Sequence, residues 1–210
     1  MNEISLPEND FFRDPEIWKI LILEIIPSVL KQKDHVHIYF PDFCSGIEII
    51  SLLILLKDYN LSPKVRIYAD TFTLKQLQNI ECRQFSKEMF NYYRDNYKNV
   101  NPDFELSDNF ISIGKFFNIN PVIYNEISLN LSEHKLNTQI PNILYDIIIY
   151  RNKLLYYNID YCNSIINQLS DNLEINGFFI TGTKDILLNR NFSNRLKLIN
   201  FEERIYIKIK

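Results

Sequence analysis

The chain has 210 residues, of which 46% are hydrophobic and 23% charged, and its formal net charge is −3. This length fits one domain around a single core, and the composition excludes intrinsic disorder. With no long basic block, an electrostatic nucleic-acid footprint is excluded as well.

In chain order, Ile17, Ile20, Leu21, Leu23 and Leu30 recur near helical period behind Asp14-Pro15, an N-cap and first-turn pair, and predict a helix over Ile17–Lys31. His35–Phe40 predicts a short strand ending at Pro41-Asp42. Gly46–Asp58 is apolar nearly all round, as a fully buried helix is. Lys64–Ala69 predicts a second strand closed by Asp70, and Thr73 caps a helix to about Glu81. Residues 83–120 are the least regular: a helix at Lys87–Tyr97, a polar stretch and a short strand at Phe110–Ile113 suggest an inserted subdomain.

Asn125–Leu129 predicts a strand ending at Asn130-Leu131. Ile143–Tyr150 is a near-continuous apolar run, the pattern of a strand buried on both faces. Tyr161–Leu173 predicts a helix, Asn176-Gly177 a turn, Phe178–Thr181 a buried strand, and Arg204–Lys210 an antiparallel final strand. Strands alternating with helices imply an α/β, Rossmann-like, mostly parallel doubly wound sheet. Ligands of such sheets sit beyond the carboxyl ends of the strands, where Asp70 and Arg151 are expected to face one pocket.

No secretory leader is read in the first ten residues, which carry Glu3, Glu8 and Asp10. The most apolar stretches, Ile20–Leu30 and Ile47–Leu56, are too short to span a bilayer, so no membrane insertion is expected. Cys44, Cys82 and Cys162 are odd in number and widely spaced, which argues against a disulfide framework or a zinc site and for a reducing, cytoplasmic setting.

Only four glycines occur, where ~7% usage would give about fifteen. Gly46 falls between the first strand and its helix, where the backbone and the helix N-terminus can approach a ligand. Asp70 follows it by about the ~20 residues at which a Rossmann carboxylate accepts from ribose hydroxyls. Without a GxGxxG diphosphate cradle, the pair suits a mononucleoside such as S-adenosylmethionine better than a dinucleotide. Arg151, at the mouth of a core strand, needs a partner, because an unpaired buried charge is costly.

Several blocks resemble the CheR-type S-adenosylmethionine-dependent methyltransferases, which methylate glutamate side chains of chemotaxis receptors. YDIIIYRNKLLYY at 145–157 is similar to the family's FDxIxCRNVLIYF, and residues 7–13, with FFRDP following at 11–15, resemble its N-x-T-x-F-F-R motif. CSGIEIISLL at 44–53 resembles the glycine loop CSTGEEPYSLA, one residue shorter. Tyr68-Ala69-Asp70 resembles ATD, Leu129-Asn130-Leu131 resembles V-N-L, and INGFFITGTKD at 175–185 resembles PGGxLxxGxxE.

The resemblance implies a class I methyltransferase fold, with an insertion at 83–120 that contributes to receptor docking. It puts Arg13 and Tyr156 near the methyl group as catalytic residues. It assigns S-adenosylmethionine to Asn9, Arg13, Gly46, Glu48, Asp70, Asn130, Leu131, Arg151 and Asn152, with no metal. The partner it implies is a protein with acidic side chains, chemoreceptor-like, in a bacterial cytoplasm. FFR begins at residue 11, so the family's N-terminal helical domain is expected to be missing. The alternative reading is a catalytically impaired relative that binds cofactor or partner.

Overall fold

A computed structural model of the chain describes residues 10–41, 46–70, 84–125, 128–132, 144–185 and 194–210. The expected helix at 73–81 lies outside the described residues.

The first helical stretch is not one regular helix. α1 (Pro15–Ile20) passes into a π-helical segment at Leu21–Ile25 and resumes as α2 (Ile26–Leu30), with Pro27 in the first turn of α2. Proline has no N–H for the preceding turn, which is why the ladder widens there. β1 (Val36–Phe40), α3 (Ile47–Asp58) and β2 (Val65–Asp70) follow where the apolar pattern put them.

β3 (Gln84–Ser86), α4 (Lys87–Val100), β4 (Phe110–Ile113) and β5 (Phe116–Ile119) come next, then the short α5 (Val122–Asn125). Gly114 takes φ +62° in the β4–β5 turn, a value costly for a side chain with Cβ. β6 (Ser128–Ser132), β7 (Tyr145–Tyr150), α6 (Ile159–Asp171), β8 (Leu173–Thr181), β9 (Leu196–Asn200) and β10 (Ile205–Lys208) complete the chain.

The main sheet has seven strands in the order β6-β2-β1-β7-β8-β10-β9. β6, β2, β1, β7 and β8 pair in parallel, and β10 runs antiparallel to both β8 and β9. Strand order reverses between β1 and β7, so the switch point lies between their carboxyl ends. β3, β5 and β4 form a separate antiparallel sheet.

Two differences from expectation have local causes. The Asn176-Gly177 turn lies inside β8, where Asn176 at φ +66° accompanies a register shift against β7. Helix α6 ends at Asp171, short of Leu173, because Leu173 already pairs with Tyr145.

One face of the sheet packs against α1–α3 and the other against α6. Phe85, Tyr93 and Phe110 of the second sheet and α4 surround Phe11 edge-on, so this unit shares the main core. α3 is tied to the same unit through Lys57–Asn109 and Tyr97–Asp58 hydrogen bonds, and nearly all its side chains are buried.

At the amino end of the central strands, buried Asp146 of β7 accepts from the His37 amide of β1 at 2.8 Å and from Lys33 Nζ at 2.6 Å. Asp146→Ala leaves the His37 N–H without its acceptor, and should cost about 1–3 kcal/mol. Urea unfolding of the two proteins checks it through the shift in midpoint at constant slope.

Candidate active site at the carboxyl edge

β7 is buried at all six positions and runs directly into Arg151, which is only 4% exposed. A guanidinium so placed must find anions, and it finds two. One terminal nitrogen donates to Glu48 Oε1 at 2.7 Å, and the other donates to Asp14 Oδ2 at 2.5 Å and to the Arg13 carbonyl at 3.4 Å. Its carbon lies 5.7 Å from the centre of the Trp18 ring, within cation–π range. Desolvation pushes the Glu48 carboxyl up, and the Arg151 charge is the largest opposing influence.

The entry segment is fixed by the same group. Trp18 Nε1 donates to the Arg13 carbonyl at 2.9 Å, and the Phe12 amide donates to Ser51 Oγ of α3 at 3.2 Å. Phe11 and Phe12 are wholly buried, so the backbone on both sides of Arg13 is anchored. Phe12 and Asp14 both take φ +53°, and Asn152 takes +56°. Such left-handed backbone costs about 1–3 kcal/mol per non-glycine residue and persists only where surroundings over-determine it.

Asp70 ends β2, buried, and accepts from the Tyr39 hydroxyl at 2.5 Å. Tyr39 stacks on Tyr145 with ring centres 4.5 Å apart. Burial and the neighbouring carboxylate push the Tyr39 phenol far up, and burial pushes Tyr145 up to about 12. Asn130 and Leu131 lie on β6 in register with Tyr68 and Ala69, beside the end of β2.

The structure therefore differs from the expectation of one shared pocket. Asp70 bonds to Tyr39, whose ring belongs to the α6 face, whereas Arg151 bonds to Asp14 and Glu48 on the α1–α3 face. Strand alternation dictates this: Asp70 falls on the side of Tyr68, and Arg151 on the side of Ile147 and Ile149. Both remain at the carboxyl edge, two strands apart.

The loop after Arg151 is fastened from below. Asp185, wholly buried, accepts from the amides of Asn152 at 2.6 Å and Gly182 at 2.8 Å. Tyr156 closes a short 3-10 turn (Leu154–Tyr156) and is 66% exposed, on the solvent side of this loop. Gly46, at φ +70°, caps the N-terminus of α3.

Arg13, Glu48 and Arg151 are thus brought together, Asn152 and Tyr156 follow on the adjoining loop, and Asp70 stands apart. Asn9 lies outside the described residues. Sequence reading missed Asp14, Trp18, Tyr39 and Asp185. Asp14 was visible within FFRDP and Asp185 three residues after Gly182, but nothing local singles out Trp18 or Tyr39.

The sheet order and the antiparallel strand β10 are those of a class I, S-adenosylmethionine-dependent methyltransferase fold. The chain belongs to the CheR methyltransferase family, matching the model of its SAM binding domain over residues 8–204. S-adenosylmethionine is accordingly its cofactor. It is 21% identical to the Pseudomonas putida protein Cher3, named as a methyltransferase, over 98% of this chain and 74% of that one.

Among solved structures it is similar to an S-adenosylmethionine-dependent methyltransferase from Clostridium acetobutylicum (16% identity, TM-score 0.41, 80% of this chain and 50% of that one). It is also similar to the N-methyltransferase NodS from Bradyrhizobium japonicum in complex with S-adenosyl-L-homocysteine (10% identity, TM-score 0.40, 81% of this chain and 63% of that one). The chain thus spans half the length of the Clostridium protein.

Arg151→Met removes one partner of a buried ion pair and leaves Glu48 and Asp14 facing each other. Such losses cost about 3–5 kcal/mol, and the partial exposure of both carboxylates puts the expected value at the lower end of that range. Chemical denaturation should register that fall; an unchanged midpoint would show that the clamp contributes no net stability.

Proposed function

We propose that this protein transfers the methyl group of S-adenosylmethionine to a glutamate carboxylate of a protein substrate. The observation that carries the reading is the clamp in which Arg151, itself held by Asp14 and Glu48, fixes the Arg13 main chain at the carboxyl edge. A glutamate carboxylate is already ionised at neutral pH, so it needs no general base to attack a sulfonium methyl. The required work is alignment and charge orientation, which a guanidinium projecting from an anchored backbone can supply. His37 fits this: it lies at the amino end of β1, far from the edge where transfer would occur.

The donor set suits the cofactor. Asp70, oriented by Tyr39, offers a carboxylate to the ribose diol, and Gly46 opens α3 beyond β1 without a diphosphate cradle. Asn152 Oδ1 is buried without a hydrogen-bond partner among the described residues, which favours a polar ligand group nearby. Asn130 and Leu131 would border the adenine. When bound, the cofactor supplies an electrophilic methyl. Arg13 would orient the attacking carboxylate, and Tyr156 would border the methyl from the exposed turn.

Residues 83–120, with their own antiparallel sheet, are read as an inserted subdomain that engages the protein substrate. No helix among the described residues is long and apolar enough to cross a membrane. A cytoplasmic setting and a chemotaxis-related role complete the proposal.

The second reading is a binding module without turnover. It is favoured by the engagement of the Arg151 guanidinium by protein carboxylates. Calorimetry with S-adenosylhomocysteine, followed by transfer of labelled methyl to acidic proteins as a base-labile ester, separates the two. Binding with transfer supports the enzyme, binding without transfer the cofactor-binding module, and no binding removes the enzyme and leaves only a partner-binding module.

Three variants sharpen the test. Arg13→Ala should lower kcat by about a hundredfold or more, the ~2.7–4 kcal/mol commonly lost with one well-placed electrostatic group, with little change in Tm. Arg13→Lys should rescue only partly, because an ammonium lacks the planar fork. Tyr39→Phe removes the orienting bond on Asp70 and should weaken S-adenosylhomocysteine binding by about tenfold, or ~1.4 kcal/mol.

A further inference from the structure

We propose that Asp185 is a positioning residue of the transfer site, its buried carboxylate setting where the 151–156 loop carries Arg151, Asn152 and Tyr156. The inference rests on the methyltransferase reading above and adds a residue outside the motif roles considered so far.

Loop residues 151–156 leave the end of β7, and Gly182–Asp185 leave the end of the neighbouring strand β8. Asp185 Oδ2 takes the Asn152 amide at 2.6 Å and the Gly182 amide at 2.8 Å, and so joins the two exits. Desolvation raises the pKa of this carboxyl, and the Gly182 and Asn152 amides are the largest opposing influences. Backbone amides gathered in this way form an anion-binding nest. Here the anion comes from the chain itself.

The nest fixes an otherwise costly conformation. Asn152 stands at φ +56°, and in that left-handed state its amide donates to Asp185. The loop also rests directly on Gly182: a Cβ there would come within 2.3 Å of Asn152 Oδ1 and 2.7 Å of the Asn152 amide nitrogen. From the other side, the Cys162 thiol of α6 donates to the Leu154 carbonyl at 3.3 Å. Removing the carboxylate while leaving the rest intact should therefore release the loop and leave the sheet in place.

A purely structural residue would lower the folded fraction and scale all ligand affinities alike. A positioning residue acts on the part of the ligand nearest the loop. S-adenosylmethionine and S-adenosylhomocysteine differ only at the transferable methyl and its sulfonium charge, so the ratio of their Kd values is the discriminating readout. In folded Asp185→Asn the ratio should change by about tenfold, equivalent to ~1.4 kcal/mol. Asp185→Glu, which keeps the charge, should stay much closer to the wild-type ratio.

Amide hydrogen exchange gives a readout independent of ligand. Exchange at 152–155 should accelerate in Asp185→Asn by about tenfold more than in the core of β7. If Asp185→Asn does not fold, Gly182→Ala displaces Asn152 with the carboxylate retained, and should shift the same ratio. An unchanged ratio in a folded variant, or equal acceleration across loop and core, overturns this proposal alone. Wild-type protein that binds neither ligand overturns the methyltransferase reading and this proposal with it.

Discussion

The burial of the Arg151 charge organises the carboxyl edge. β7 cannot end in a guanidinium inside the core unless anions come to it, so α3 supplies Glu48 and the entry segment supplies Asp14. Three pieces of chain that share no local sequence are thereby joined: the start of α1, the first turn of α3 and the exit of β7. The interaction is a constraint more than a source of stability. Taking three charged groups from water offsets most of their mutual attraction, and the net gain over an apolar substitute is small or negative. What it contributes is a defined place for Arg13, whose own carbonyl is held by both Trp18 and Arg151.

The strain in the same region follows from that constraint. Among the described residues, three of the six non-glycine residues with positive φ, Phe12, Asp14 and Asn152, flank the two arginines. Phe12 is held there by its buried ring and its bond to Ser51, Asp14 by the ion pair, and Asn152 by Asp185. Each strained residue thus has its own compensating contact. This is the pattern expected where side-chain direction matters more than local energy.

Much of the fold was legible because parallel core strands are apolar on both faces and their crossover helices carry long apolar runs. β1, β2, β7, α3 and α6 follow from that pattern directly. β3 and β5 were not, because they are three and four residues long and exist only through pairing with each other and with β4. β9 was missed for a related reason: Lys197 and Asn200 break its apolar run, and its identity as a strand comes from β10.

At the site, strand-end charges could be read from the sequence but their partners could not. Arg151 meets Glu48 and Asp14 across 103 and 137 residues, and Tyr39 meets Asp70 across 31.

The separation of Asp70 and Arg151 onto opposite faces bears on how an elongated cofactor would lie. Two strands, roughly 10 Å, already separate them along the sheet. Each is satisfied by its own neighbour: Asp70 by a phenol, Arg151 by two carboxylates. On the proposed reading, the ribose end answers to Asp70 and Tyr39, and the reacting end to Arg13 and the loop above Asp185. The two ends can then be set independently, the first for affinity and the second for alignment. Only interactions that strengthen at the transition state raise kcat, and on the proposed reading that role belongs to the clamped, strained half of the edge.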